Sequence, residues 1–409
     1  MRVLFLASFF PKPTNPLMGV WAMQQARALA RQPDVELRVV SFSSWMPRLA
    51  GRFSAGARAY SHCPPTWDWD GLCVEYPRWL LCPVGPLKKM AFKSPEPQMA
   101  LAFLSARPFL EKVVREWKPD VIFAHHTMAN GYLSEKVTRE HNIPFVTLDH
   151  DFGEISDCEH LPARRQIFER VAGRASRVLG VSSRMQNSLH RLFPQAQVGT
   201  QHNGVEPIPE SLKTPPRPAE IEGKAIVLGA GMFYERKGFP LLVEAFARVA
   251  AKHPDAVLRL VGDGETSATV DAAIAKHGLE QRVQRLGYLP NTALLQEMVW
   301  ADVFASPGWD EPFATVFLEA AAAQCAILWA SDGGISDVLK NNVHGISVAP
   351  RDVDSAAQAL DFLLSNPEQR EEMARNALHL YNNQLNSDAV AASLVTLFRS
   401  IIQDSRAMT

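Results

Sequence analysis

Cysteine is scarce in this 409-residue chain. Cys63, Cys73, Cys82, Cys158 and Cys325 make an odd set with no CxxC spacing and no histidine pattern that would complete a zinc site. That excludes a disulfide framework and suits the reduced thiols of a cytosolic protein. Only the crowding of Cys63, Cys73 and Cys82 leaves a local clip open. Long apolar runs are missing as well. The most apolar stretch, residues 313–330, is interrupted by Thr315, Glu319 and Gln324, which fits a buried helix and strand rather than a membrane span. The opening MRVLFLASFFPKP lacks the basic flank and small-residue cleavage site of a secretory signal, and its apolar run stops at Pro11. It reads as a first strand. There is no long basic run, so no nucleic-acid partner is expected.

What is present is ordinary globular composition, 47% hydrophobic and 21% charged, at a length that calls for two domains. The net charge of −1 hides an asymmetry: residues 1–200 carry 25 Lys+Arg against 17 Asp+Glu, and residues 201–409 carry 17 against 26. A basic first half suits an anionic partner, either a phosphate-bearing substrate or contact with membrane lipid. Residues 2–9 form an apolar run without alternation, the pattern of a strand buried on both faces of a parallel sheet. A helix over 22–31 and a strand over 36–42 begin a β-α-β repeat. Residues 43–100 follow neither period and suit an acceptor-side loop region, with 87–93 as a short basic and apolar patch that could touch a membrane. Order returns with a helix over 99–116, then strands over 120–124 and 144–148 that end in His125-His126 and Asp149-His150-Asp151. In open α/β sheets ligands lie at the carboxyl ends of strands, so these residues stand where chemistry is expected.

After a strand over 176–181, the stretch 206–223 holds five prolines and reads as a linker. The strand–helix alternation then restarts at 225 and runs to helices over 353–364, 368–382 and 387–402. The reading is α/β, two tandem Rossmann-like domains: 1–205, a linker 206–223, 224–385, and a C-terminal segment 386–409 expected to return to the first domain.

The second domain carries the densest polar pattern. In residues 306–337, SPGWDEPFATVFLEAAAAQCAILWASDGGISD, Glu311 and Glu319 stand eight positions apart around an apolar run. Pro312 suits the first position of a helix, which puts Glu311 at the helix mouth and Glu319 roughly 12 Å further along. Two carboxylates so spaced, with free backbone N–H groups between them, suit a long ligand with hydroxyls at both ends and anionic charge in the middle. A nucleotide sugar has that shape. Gly229-Ala230-Gly231 fails as a dinucleotide fingerprint, but Arg236-Lys237-Gly238 sets two cations at a helix N-terminus beside it, a combination that would neutralise a diphosphate. In the first domain the loop after the first strand ends on Gly19 at a helix start, where backbone N–H groups can meet phosphate.

Together with Gly262-Asp263-Gly264, Gly287-Tyr288-Leu289, Gly333-Gly334 and His202-Asn203-Gly204-Val205, these motifs resemble, in order and spacing, the retaining glycosyltransferases of family four, which have the GT-B fold with two domains facing a cleft. By that resemblance Glu311 lies by the donor sugar, Glu319 holds the ribose hydroxyls, and Arg236 and Lys237 meet the pyrophosphate. Phe313 and Ala314 offer backbone N–H groups to sugar hydroxyls, Tyr288 and Leu289 flank the base, and Gly231 and Gly262 line the phosphate turn. Gly19 approaches the diphosphate and His126 the sugar. His125 is the rival to His126 if the register is off by one, and His125, His150 and Asp151 face the acceptor. The chain departs from the family at Met232, where many members have arginine, at Pro312 and Ala314 in place of two glycines, at Gln324 and Ala326 in place of a glycine and a proline, and at Asp337 in place of a glutamate. Arg236 is then the guanidinium, as in the lipopolysaccharide-core branch. FFPKPTNPLMGVW and Tyr76-Pro77-Arg78-Trp79 look like exopolysaccharide or cell-wall polymer transferases.

The resemblance implies a UDP- or GDP-sugar donor, a glycan or lipid-linked acceptor in bacterial surface-polysaccharide synthesis, and no cofactor. No metal is expected: cations and helix N-termini take the charge of the departing phosphate, and Asp68-Trp69-Asp70, which has the letters of a metal-binding DxD, falls outside the donor half. The protein is expected in the cytoplasm, on or near the inner face of the membrane. A nucleotide-sugar epimerase or sugar phosphorylase of the same fold, and a non-catalytic nucleotide-sugar-binding subunit, remain the alternatives.

Overall fold

The computed structural model describes residues 1–52, 54–81, 92–213 and 216–407. It divides into two compact units, Met1–Asn203 with Ser387–Thr409, and Gly204–Asn386.

Among the described residues the first unit has ten strands: β1 (Arg2–Leu6), β2 (Glu36–Val40), β3 (Ser43–Ser44), β4 (Thr66–Trp69), β5 (Leu72–Glu75), β6 (Arg78–Trp79), β7 (Val121–His125), β8 (Phe145–Asp149), β9 (Arg177–Gly180) and β10 (Val198–Thr200). Eight of them form one sheet in the order β10-β9-β8-β7-β1-β2-β5-β4, parallel except for the β4–β5 hairpin. Val3 to Leu6 and Val121 to Ala124 are fully buried, because β1 and β7 lie at the sheet centre with helices over both faces. The connections run outward in opposite directions from β1 and β7, so the topological switch point lies between them. The loops that leave β1 and β7 share that crevice.

Residues 43–100, which showed no period, hold short elements rather than free loops. β3 pairs with β6, and Asp70 and Gly71, both in the left-handed region, turn the β4–β5 hairpin. Asp68 Oδ1 accepts the Gly71 N–H at 2.8 Å. The Asp68-Trp69-Asp70 triplet is therefore hairpin chemistry. The patch expected at 87–93 falls largely outside the described residues, as does Cys82; the other four cysteines are free thiols. The helix Ser387–Ala407 belongs to the first unit, where Arg31 pairs with Asp388 at 2.7 Å, Arg399 with Asp34 at 2.7 Å, and the Phe398 ring packs 5.2 Å from Phe123. Among the described residues no helix is long and apolar enough to cross a membrane.

The second unit is a six-stranded, all-parallel sheet of β11 (Ala225–Ala230), β12 (Ala256–Val261), β13 (Val283–Gly287), β14 (Val303–Ser306), β15 (Ala326–Ala330) and β16 (Gly345–Val348), in the order β13-β12-β11-β14-β15-β16. Its switch point lies between β11 and β14, which pair through Val227↔Val303 and Leu228↔Phe304. The described residues of the stretch 206–223, expected as a linker, pack into this unit instead. Ile208 and Ile221 are buried, Arg217 pairs with Asp302 at 3.3 Å, and Val205 N–H donates to Leu385 O at 3.3 Å. Prolines removed backbone donors from the stretch without removing its two anchoring isoleucines.

Candidate active site

In the second unit, the turn after β11 is held by backbone contacts that only glycine permits. Gly231 N–H donates to Val261 O at 3.1 Å and Gly262 N–H to Gly287 O at 2.7 Å, knitting together the carboxyl ends of β11, β12 and β13. Gly231 has φ +149° and Gly262 φ +120°, and a Cβ on Gly262 would overlap the Gly231 carbonyl. Tyr288, 60% exposed, and half-buried Leu289 follow β13 at the edge of this floor.

The chain then makes a single 3₁₀ turn, Glu235–Lys237, before Gly238, at φ +69°, starts the helix Phe239–Ala250. Arg236 and Lys237 are thereby set at the crevice, and both point at one group: Arg236 Nη1 and Lys237 Nζ each lie 2.8 Å from Glu311 Oε1. The Glu311 carboxylate is almost fully buried, whereas Arg236 keeps 45% of its side-chain exposure. The pattern of one acceptor between two cations was not visible in the sequence, which assigned the cations to a diphosphate and Glu311 to a sugar.

The helix expected to start at Pro312 starts later, at Val316, and runs to Ala322. Residues 307–315 form a loop tied elsewhere: Trp309 N–H donates to Arg236 O and Gly334 N–H to Glu311 O, both at 2.9 Å. These bonds fix the backbone around Pro312 outside the helix, and the proline's preference for a first helical position is too weak to override them. Glu311 is therefore a loop residue beside Gly333-Gly334. Phe313, buried, and Ala314, half-buried, belong to the same loop, and Glu319 lies in the first turn of the helix rather than its third. Desolvation alone pushes the Glu319 carboxyl up to about 7, with no cation among the described residues beside it to hold the charge.

In the first unit, Gly19, at φ +69°, caps the helix Val20–Ala30 and packs against the backbone of Phe9 and Phe10 so closely that a Cβ would overlap the Phe9 carbonyl. His126 leaves β7 at φ +69°, unusual for a residue with a side chain, and opens a turn of π-helix, His126–Gly131. Its Nε2 is buried without a hydrogen-bond partner, under the exposed ring of Phe9 at 5.2 Å. His125 lies behind it in the sheet. Its Nε2 meets Gln25 Oε1 at 2.7 Å and its Nδ1 meets His150 Nε2 at 3.0 Å. With a carbonyl oxygen at Gln25, the proton of His125 sits on Nε2 and His150 donates. Burial, and after it the neighbouring histidines, depress His125 well below the usual histidine range; burial and then His126 do the same to His150. Both are neutral near pH 7. His125 thus supports the site from the core and does not face a ligand. Asp151 is exposed and spends Oδ1 on the Gly153 N–H at 2.7 Å, closing a local turn.

Sequence reasoning missed the residues that lock His126. Asp149 accepts from Thr127 N–H at 2.9 Å and Thr127 Oγ1 at 2.7 Å, Glu154 Oε2 accepts from Met128 N–H at 3.0 Å, and Asn130 Nδ2 donates to His125 O at 2.6 Å. Burial first, and for Asp149 the charge of Glu154 next, push both carboxyls up to about 7. Asp149 carried a signal in the Asp149-His150-Asp151 run; Thr127, Asn130 and Glu154 carried none. His126, Asp149 and Glu154 bring potential ligand atoms within 4.8 Å of one another, but both oxygens of Asp149 and one of Glu154 are already taken by Thr127 and Met128. That use of their oxygens argues against a cation at the trio.

Residues 18–207 match the family model Glycosyltransferase Family 4, and residues 212–379 match Glycosyl transferases group 1. A glycogen synthase of Mycobacterium tuberculosis is 26% identical over 293 residues, 69% of this chain and 69% of that one. A putative teichuronic acid biosynthesis glycosyltransferase of Bacillus subtilis, TuaC, is 24% identical over 368 residues, 88% of each chain. Among solved structures, Anabaena HepE in complex with UDP-glucose shares the fold with a TM-score of 0.65 at 19% identity, covering 98% of this chain and 100% of that one. With both halves matched, and two parallel sheets carrying polar crevices at their switch points, this chain belongs to the family-four glycosyltransferases of the GT-B fold.

Proposed function

We propose that this glycosyltransferase moves a hexose-type sugar from a nucleoside diphosphate, UDP or GDP, to a hydroxyl of a glycan or lipid-linked acceptor, with retention at the anomeric carbon, in bacterial surface-polysaccharide synthesis. The observation that carries the reading is the convergence of Arg236 and Lys237 on Glu311 at the β11/β14 switch point. Two cations held by one buried carboxylate are a preorganised receptor for a diphosphate, which offers more oxygens and more charge than Glu311 does. The UDP-glucose bound by HepE supports the donor class, and the teichuronic acid biosynthesis for which TuaC is named supports the pathway class.

In the proposed step the bond from the anomeric carbon to the diphosphate oxygen breaks, a bond to the acceptor oxygen forms, and the acceptor proton passes to the departing diphosphate. Arg236 and Lys237 stabilise the charge that builds on that phosphate, and no metal is assigned. Glu311, released from the cations, meets a hydroxyl of the donor sugar, Glu319 takes the ribose hydroxyls, and Tyr288 flanks the base. We assign His126, which leaves β7, to the donor sugar and half-buried His150 to the acceptor side, with His125 behind them in the core.

Thermal-shift titration against UDP-, GDP-, ADP- and dTDP-sugars, followed by diphosphate release with the best binder, tests the proposal. One nucleotide class stabilises the chain and is turned over with a glycan or lipid-linked acceptor, and the anomeric coupling of the product matches the donor. Absence of binding by every nucleotide sugar overturns the reading, and an inverted product overturns the stereochemical part.

A further inference from the structure

The large apolar side chains left exposed are crowded into the first hundred or so residues, and five of them lie on segments joined by hydrogen bonds or adjacent in the chain. Trp45 N–H donates to Trp79 O at 2.8 Å where β3 runs beside β6, and Leu80 N–H donates to Ser105 Oγ at 2.8 Å. Ser105 lies on the helix Glu96–Trp117, so the end of β6 sits on the turn that presents Leu101 and Leu104. Leu49 lies in the 3₁₀ turn Arg48–Arg52 that follows β3. Trp45 is 56% exposed, Leu49 66%, Leu80 39%, Leu101 46% and Leu104 63%.

The helix itself shows an inverted pattern. After exposed Glu96 at its first position, its exposed positions as far as Pro108 are Pro97, Leu101, Leu104 and Pro108, at the 4, 3, 4 spacing of a single face, and all four are apolar. Beyond Pro108 the exposed positions become Lys112, Arg115 and Glu116, as water requires. An exposed apolar stripe that stops at a boundary within one helix marks a contact surface.

The sequence on either side of the β4–β5 hairpin is basic. Residues 37–67 contain four arginines and no acid, and residues 76–95 contain one arginine, three lysines and no acid. Arg48 and Arg52 stand exposed on the turn that carries Leu49, and no acidic group among the described residues pairs with either. A tryptophan and leucines that reach outward, rimmed by unneutralised arginines, match the apolar boundary and negative headgroups of a lipid leaflet. We propose that this face rests on the surface of an anionic phospholipid bilayer, with Leu101 and Leu104 entering the headgroup–acyl boundary and Arg48 and Arg52 meeting the headgroups. Such a contact would hold the chain where a lipid-linked acceptor resides. It is independent of the donor assignment, because lipid binding requires no nucleotide.

Co-sedimentation of the full chain with phosphatidylglycerol vesicles, against phosphatidylcholine vesicles, tests it. The chain partitions onto phosphatidylglycerol at least about tenfold better, and the preference shrinks as salt is raised. Leu101→Glu with Leu104→Glu lowers partitioning about tenfold or more, and Arg48→Glu with Arg52→Glu removes the preference for the anionic lipid. Unchanged thermal unfolding and nucleotide binding in the second unit confirm that each variant is folded, and Leu104→Ser replaces the double variant if it is not. Equal partitioning onto both lipids, none onto either, or binding that neither double variant changes overturns the proposal. So does a concentration-dependent dimer that Leu101→Glu with Leu104→Glu dissolves while vesicle binding is absent, because the occupant is then a second copy of the chain.

Discussion

Replacing Glu319 by glutamine should make the protein more stable and a poorer nucleotide binder at the same time. The residue is half-buried in the first turn of its helix with no cation among the described residues to compensate it, and desolvation moves its carboxyl from 4.5 to about 7. An acid whose folded value is raised carries no penalty below about pH 4.5, where it is protonated in both states. Between about 4.5 and 7 the unfolded chain ionises first, so folding loses stability as pH rises, and above about 7 the full cost is present. A shift of that size corresponds to about 3 kcal/mol as an upper bound, at about 1.4 kcal/mol per unit. Glutamine keeps the shape and removes the charge. At pH 8 Glu319→Gln therefore raises the stability of the second unit by up to about 3 kcal/mol, roughly 6–12 °C for a unit of this size, while at pH 4 the two proteins melt together. If the same carboxylate accepts from the ribose hydroxyls, the variant loses charge-assisted bonds worth about 1–3 kcal/mol in nucleotide affinity. Calorimetric melting across pH and titration with UDP or GDP read both effects. A variant with no stability gain at pH 8 refutes the burial argument, and one with unchanged affinity refutes the ribose assignment.

Glu311→Gln should lower both stability and turnover. At 2.8 Å and an effective dielectric of about 20 each ion pair is worth about 6 kcal/mol before desolvation, and because Arg236 is 45% exposed the net loss should be about 1–2 kcal/mol by denaturant titration. Diphosphate release should fall by more than about 100-fold, as for removal of a transition-state contact. Gly19→Ala places a methyl group against the Phe9 carbonyl at a positive φ, so stability should drop by more than about 1 kcal/mol in thermal melts, with nucleotide-sugar turnover lost alongside. His126→Asn and His126→Ala should both lose turnover. The asparagine variant should melt higher than the alanine variant, because asparagine tolerates the left-handed backbone that His126 holds; equal melting would refute the strain argument.

Much of the architecture was legible because its causes are local. β1 and β7 announce themselves as unbroken apolar runs since both faces are buried, and the second unit's alternation of strand and helix predicts its parallel sheet. The histidines show where local reading stops. The strand expected to close at residue 124 runs one residue further, to His125, so His125 belongs to the sheet and His126 is the residue that leaves it. A one-residue shift exchanges a core histidine for a site histidine, and no periodicity argument fixes a strand end that closely. Thr127, Asn130 and Glu154 were illegible for a different reason: each acts through a backbone partner or a carboxylate that only the fold brings near.

The pair Glu311 and Glu319 was visible as two carboxylates, but what each one does depends on non-local bonds. Glu311 lies 74 residues beyond Lys237, and the contact exists because β11 and β14 are neighbours at the switch point. Once Gly334 and Trp309 have drawn residues 307–315 into a loop, Glu311 faces the cations and Glu319 remains alone in its helix. One carboxylate is ion-paired before any ligand arrives and the other is not. Donor binding must then exchange Glu311 for phosphate oxygens at Arg236 and Lys237, while it supplies Glu319 with the hydrogen-bond donors it lacks. The first exchange opposes binding and the second favours it. Affinity for a nucleotide should therefore rise in Glu311→Gln even as turnover falls, and drop in Glu319→Gln, and the opposite signs in two acidic residues of one loop–helix segment separate this mechanism from a general loss of fold.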